Sequence, residues 1–163
     1  MQNNPVKESI WAAGCPQNVK EEYKLTIPQL LVLGVDYVVK RFAAAHGFKI
    51  EQARANINYL PNILMKKNGQ LYAVAVVPFV YPNYGCLNDK VRIEFVHNAK
   101  SYNAVPLFAP VGFKSIDAER AKAGLALKGD LFDILFRGFL VLTDEPKQQM
   151  IVNNDEFTML EDR

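Results

Sequence analysis

Residues Leu71-Tyr-Ala-Val-Ala-Val-Val77 are apolar at every position. Successive side chains of a strand point to opposite faces, so a strand with one face in water alternates apolar and polar residues. An unbroken apolar run has to be covered on both faces, which places it in the middle of a sheet lying between helices. The turn signal Lys67-Asn68-Gly69 precedes it, and Pro61-Asn-Ile-Leu-Met65 precedes that turn, so the two runs read as a β-hairpin. Pro78 is expected to end the second strand or bend it away. A chain of 163 residues, 50% hydrophobic and 22% charged, carries the apolar material for one such layered core.

The covering helices are also legible. Thr26-Ile-Pro-Gln29 offers an N-cap hydroxyl, a first-turn proline and a glutamine at the capping-box position. From there Leu30, Leu31, Val35, Val38, Val39 and Phe42 form one apolar stripe, Asp36 and Lys40 pair on the other side, and His46-Gly47 supplies the stop. The segment Leu87 to Tyr102 fits either a strand, through Val91, Ile93 and Phe95, or a helix, through Leu87, Val91, Phe95, Ala99 and Tyr102. Its length and its Asn88-Asp89 start favour the helix. Val105 to Phe113 reads as an extended strand whose prolines place it at an edge or a bend. Leu125 to Leu142, interrupted at Gly129-Asp130 and Arg137-Gly138, reads as a second hairpin. The fold class is therefore α/β, a mixed central sheet flanked by helices, with a single domain over 26–142, an extension over 1–25 and a tail over 143–163.

Charge is divided along the chain. Residues 1–142 hold 17 Lys and Arg against 11 Asp and Glu, and residues 143–163 hold two against six. A moderately basic body is compatible with a polyanionic partner, and an acidic tail with a protein partner or a solvated end. Cys15 and Cys86 are too few for a disulfide scaffold and form no metal-type spacing. No apolar run approaches the roughly 20 residues of a membrane span. Met1-Gln-Asn-Asn-Pro5 lacks the plan of a secretory signal, so a cytoplasmic protein without a membrane partner is expected.

The order helix, strand, hairpin, helix, strand resembles the core of the restriction-endonuclease-like superfamily, the PD-(D/E)XK nucleases. In that family a Pro-Asp opens one core strand, and the next strand carries an acid, one apolar residue and a lysine. The corresponding stretch here is Pro61-Asn62, the Lys67-Asn68-Gly69 turn, then Val74-Ala75-Val76-Val77. Position by position, Asn62 falls where the family has aspartate, Ala75 where it has the second acid, and Val77 where it has lysine. The resemblance covers residues 26 to 114, and Asn98-Ala-Lys-Ser-Tyr102 echoes the spacing of a Q-x-x-x-Y element in one branch of the superfamily.

The family's carboxylates hold magnesium, a hard cation that demands oxygen ligands, and the lysine helps place or activate water. Asn62 offers at most a neutral amide oxygen, and Ala75 and Val77 offer nothing. The resemblance thus implies a nuclease fold without its catalytic groups and without a cofactor. Such a domain would act as an accessory module that binds nucleic acid or a protein. On sequence alone Asn62 is equally a residue that turns or caps the chain after Pro61. The candidates for DNA or RNA contact are Lys66, Lys67, Lys90, Arg92, Lys100 and Lys114, interspersed with Tyr72, Tyr81, Tyr84 and Tyr102. The alternative is an active metal-dependent nuclease or phosphodiesterase with relocated ligands, Asp36 or Glu94, with Lys90 beside the latter. A thiol site from Cys86 and His97 is a further, weaker reading.

Overall fold

The computed structural model describes residues 20–146. Most of the N-terminal extension, Cys15 and the greater part of the acidic tail lie outside the described residues.

The first helix, α1 (Ile27–Tyr37), begins at the capping box: the Gln29 N–H donates to Thr26 Oγ1 at 3.3 Å and the Thr26 N–H to Gln29 Oε1 at 2.8 Å. It continues as a π-helical stretch over Val38–Ala43 and a 3-10 turn over Ala44–His46, and stops at Gly47 with φ 80°, the left-handed conformation glycine adopts freely. Strands β1 (Lys49–Ala53), β2 (Ile63–Lys67) and β3 (Gln70–Val80) follow. The turn between β2 and β3 is Asn68-Gly69, both at positive φ, 52° and 80°, which is the geometry of a tight two-residue hairpin. Next come helix α2 (Asp89–Ser101), N-capped by Asn88, strand β4 (Ala104–Ser115), short helix α3 (Ala118–Lys122), β5 (Phe132–Leu135) and β6 (Leu140–Val141).

The strands form one six-stranded mixed sheet in the order β1-β2-β3-β4-β5, with β6 also on β4. β1 pairs antiparallel with β2 and β2 with β3, and β4 runs parallel to β3 from Leu71↔Ala104 to Val80↔Phe113. Parallel neighbours need a crossover, and α2 supplies it. Alternate residues of β3 enter two cores. Tyr72, Val74 and Val76 pack with Leu30, Leu31, Val35 and Val38 on the α1 face. Ala73 and Ala75 pack with Phe95, Val96, Ala99 and Phe108 on the α2 face. The apolar run is covered on both sides, as its composition demands. At Gly34 α1 lies close against the sheet, and an added Cβ would lie 3.4 Å from Val76 Cγ1 and 3.5 Å from Val111 Cβ.

Three local expectations are corrected. β3 does not end at Pro78 but runs to Val80. The Val76 N–H points to the β2 side, to Asn62, and β2 pairs only as far as Val74, so by alternation the missing donor of Pro78 faces an edge with no strand. β4 is an inner strand, not an edge. The Pro106 carbonyl accepts from the Leu142 N–H at 3.0 Å, so Pro106, and Pro110 four residues on, turn their donorless nitrogens away from β3. That side is covered only in pieces, by β6 at Leu107–Phe108 and by β5 at Gly112–Ser115. Finally, β5 and β6 do not pair with each other as a hairpin. Both lie antiparallel along β4, as one interrupted strand whose register slips by one residue between Leu135↔Gly112 and Leu140↔Phe108. Gly138, at φ 126°, sits in the interruption.

Two further features tie the ends down. Tyr23–Leu25 joins the loop after α3: Leu25 donates its N–H to the Ala126 carbonyl, and the Lys128 N–H donates to the Tyr23 carbonyl, both at 2.8 Å. At the far end of β4, the buried Arg120 guanidinium meets buried Asp130 through Nε–Oδ2 at 2.9 Å and Nη2–Oδ1 at 3.1 Å, and Ser115 Oγ donates to Asp130 Oδ2 at 2.7 Å.

Candidate functional site

Asn62 immediately precedes β2 and is 2% exposed. Its backbone N–H donates to the Val74 carbonyl at 2.8 Å, and its Oδ1 accepts the Val76 N–H at 2.8 Å. It therefore straddles Ala75 along the edge of β3, and its side chain extends a ladder that β2 itself no longer supplies. Its Nδ2 donates to the carbonyls of Arg54 at 3.2 Å, Tyr59 at 3.4 Å and Asn56 at 3.5 Å. All of these carbonyls belong to the loop between β1 and β2. Asn62 pins that loop to the sheet, and both ends of its amide are used by the main chain.

Ala75 is fully buried beneath α2, and Val77 packs against the same cluster. Residues 62 and 75 are thus neighbours; the amide is spent on backbone groups while Ala75 and Val77 fill a core. Asp36 and Glu94, the candidate relocated acids, sit on α1 and α2, on opposite faces of the sheet. Asp36 pairs with Lys40 at 2.8 Å. Glu94 lines a surface groove of about 320 Å³ together with Asn58, Leu60, Val91, Phe95 and Asn98. Among the described residues no three His, Cys, Asp or Glu side chains come together as a metal-binding group.

The six candidate cations are not all on one surface. Arg92 is buried, not solvent-facing: Nη1 donates to the Thr143 carbonyl, Nη2 to the Glu145 carbonyl at 2.8 Å and to Asp89 Oδ1 at 3.1 Å. Its work is to hold residues 143–145 across α2, a role that the helical periodicity concealed because a buried arginine on an apolar helix face resembles a surface charge in sequence. Lys66 is exposed, whereas Lys67, next along the same strand, turns to the opposite face with Nζ 5.1 Å from the centre of the Phe48 ring. Lys90 and Lys100 are exposed in the first and last turns of α2, about 15 Å apart along its axis by helix rise. Lys114 lies over the Tyr81 ring at 4.6 Å.

The interspersed tyrosines divide in the same way. Tyr72 is buried edge-on against Phe48, whereas Tyr84 and Tyr102 are exposed. Partial burial raises the Tyr102 phenol above its ordinary pKa. His97 Nε2 and Asp144 Oδ2 are 3.0 Å apart, and Lys100 Nζ is 3.9 Å from the same oxygen. The hydrogen bond from His97, then the charge of Lys100, lowers the Asp144 pKa below that of an ordinary aspartate. Cys86 is a free, exposed thiol. The Arg120–Asp130–Ser115 cluster had no sequence signal beyond the turn at Gly129-Asp130.

No helix among the described residues is long and apolar enough to cross a membrane. No curated protein and no solved structure matches the chain. A family described as a domain of unknown function, DUF8840, matches residues 28–142, from the first turn of α1 to the residue after β6. That span takes in both cores, Asn62 and the buried Arg120–Asp130 pair, and the chain belongs to the DUF8840 family.

Proposed function

We propose that this domain is a non-catalytic accessory module, a nuclease-like core that has kept its framework and works by binding a protein partner. The observation that carries this reading is the double use of the Asn62 amide beside the buried methyl of Ala75: the position where the related nucleases hold a cation is occupied by main-chain hydrogen bonds and apolar core. The order α1, β1, β2, β3, α2, β4 supports the resemblance to the restriction-endonuclease-like core, since it repeats the helix, strand, hairpin, helix, strand sequence of that family. The placement of Asp36 and Glu94 on opposite faces argues against their acting together as substitute ligands.

A protein partner is favoured over nucleic acid because phosphate tracking needs several cations on one face. Here one of the six candidates is buried, two neighbours face opposite ways and two lie at opposite ends of a helix. In contrast, Ile57 and Tyr59 on the β1–β2 loop and Val91 on α2 are large apolar side chains left exposed. Calorimetric titration with magnesium and manganese, paired with a nicking assay on single-stranded and duplex DNA and RNA, tests the reading. The expected result is neither binding heat nor cleavage. Metal-dependent cleavage that disappears in Glu94→Gln or Asp36→Asn would overturn it in favour of a relocated active site. Gel shifts across a salt series separate the partner classes, and tight binding at low salt that fades steeply with added salt would replace the protein partner with nucleic acid.

A further inference from the structure

The sheet ends in β1 on one side and β5 on the other. β1 is blunted in the way that exposed edges usually are: its register shifts between Ile50 and Gln52, and it carries Lys49 and Glu51. β5 also carries a charge, Asp133, but pairs with β4 without a register shift. Phe132, Ile134 and Phe136 pack against the α1-side core, while Asp133, Leu135 and Arg137 are exposed, with Leu135 at 36%. The Leu131 carbonyl accepts from the Ile116 N–H at 3.1 Å, so Leu131, Asp133 and Leu135 direct their main-chain groups to β4, and Phe132 and Ile134 direct theirs outward; Phe136 and Arg137 follow directly on the last residue of β5. Among the described residues no strand pairs with that outer edge, and neither Asp133 nor Arg137 has an ion-pair partner.

We propose that β5 is a self-association edge whose partner is a second copy of this chain, paired antiparallel about a two-fold axis at Leu135. In that register Asp133 stands opposite the partner's Arg137, Leu135 opposite the partner's Leu135, and Ile134 opposite the partner's Phe136. The outward main-chain groups of Ile134 then face the partner's Phe136. The main-chain groups of Asp133 and Leu135 are turned to β4, so in this extended register Asp133, Leu135 and the partner's Arg137 fall at the positions where opposed side chains come closest. The pattern selects this register over its neighbours. A shift of the axis by one residue sets a charge against Leu135, and a shift by two sets like charges against each other. The interface is isologous, so each copy supplies the acid and the base. An edge of four residues is small beside the roughly 1,200 Å² of a stable interface, so the dimer is a concentration-dependent equilibrium.

Sedimentation equilibrium of the full chain over a dilution series, with thermal melts as a folding control, tests this. Asp133→Arg and Arg137→Asp should each weaken self-association roughly tenfold, as two cross-strand pairs turn from attraction to repulsion. The double exchange Asp133→Arg with Arg137→Asp should restore it. A mixture of the two single variants should form a heterodimer tighter than either variant alone. Leu135→Lys, which sets two like charges on the axis, should abolish the dimer by itself. A wild-type chain that stays monomeric throughout, or a dimer indifferent to these exchanges, would overturn the proposal.

Discussion

Replacing Asn62 with alanine isolates the contribution of one amide to the sheet. The Val76 N–H, on a residue 4% exposed, loses its only acceptor, and a buried unsatisfied donor costs about 1–3 kcal/mol. The three loop carbonyls that lose Nδ2 belong to residues near the surface, where water replaces part of the bond, adding on the order of 0.5 kcal/mol. A loss of about 2–3 kcal/mol in a domain of this size lowers Tm by roughly 10 °C. Asn62→Asp is expected to be worse at neutral pH. Its carboxylate keeps the acceptor for Val76 but turns an oxygen, in place of a donor, toward three carbonyl oxygens. Burial and that repulsion raise its folded-state pKa. The penalty is accordingly absent at low pH, sets in as pH rises through the unfolded aspartate value of about 3.9, and is complete above the folded value. Thermal melts at several pH values, with hydrogen exchange read at the Val76 amide, measure both effects. An alanine variant with unchanged Tm and a still-protected Val76 amide, or an aspartate variant as stable as wild type at pH 7, would refute the reasoning.

Removing one side of the buried Arg120–Asp130 pair, as Arg120→Met, should cost about 3–5 kcal/mol in chemical denaturation, and a double-mutant cycle with Asp130→Leu should show clear coupling. Gly112→Ala places a Cβ 2.5 Å from Phe79 Cζ and 3.0 Å from Leu135 Cβ, so this variant should lose about 1–3 kcal/mol through forced repacking. The lowered Asp144 pKa means that its attachment to α2 is complete above the ordinary aspartate range and is lost only as pH falls through the depressed folded value. Titration of the Asp144 carboxyl by NMR should show that low midpoint, and His97→Ala should move it upward.

Most of the layering was legible because it depends on periodicity. The Thr26–Gln29 capping box, the Asn68-Gly69 turn and the apolar run of β3 each follow from local chemistry, and each lies where expected. The failures share a different cause. Pro78 reads as ending or bending its strand, and Pro106 and Pro110 as marking an edge or a bend, because sequence does not show which edge of a strand is covered. Their donorless nitrogens face gaps left by neighbouring strands. The β5–β6 stretch was read as a hairpin because strand partners far away along the chain leave no local mark. At the candidate site, the hydrogen bonds of Asn62 reach Val76 and the β1–β2 loop, which only the tertiary structure brings together. Arg92 was assigned to solvent for the same reason, since the carbonyls that receive it are more than fifty positions further on.

The reach of Arg92 has a practical consequence for anyone who trims the protein. The family match stops at Leu142, one residue short of the first carbonyl that the guanidinium binds. A polypeptide shortened to that boundary would retain every strand and helix described above. It would also strand a cation beneath α2 with only Asp89 beside it, so a minimal fragment should be cut beyond Glu145 if it is to keep the melting behaviour of the whole.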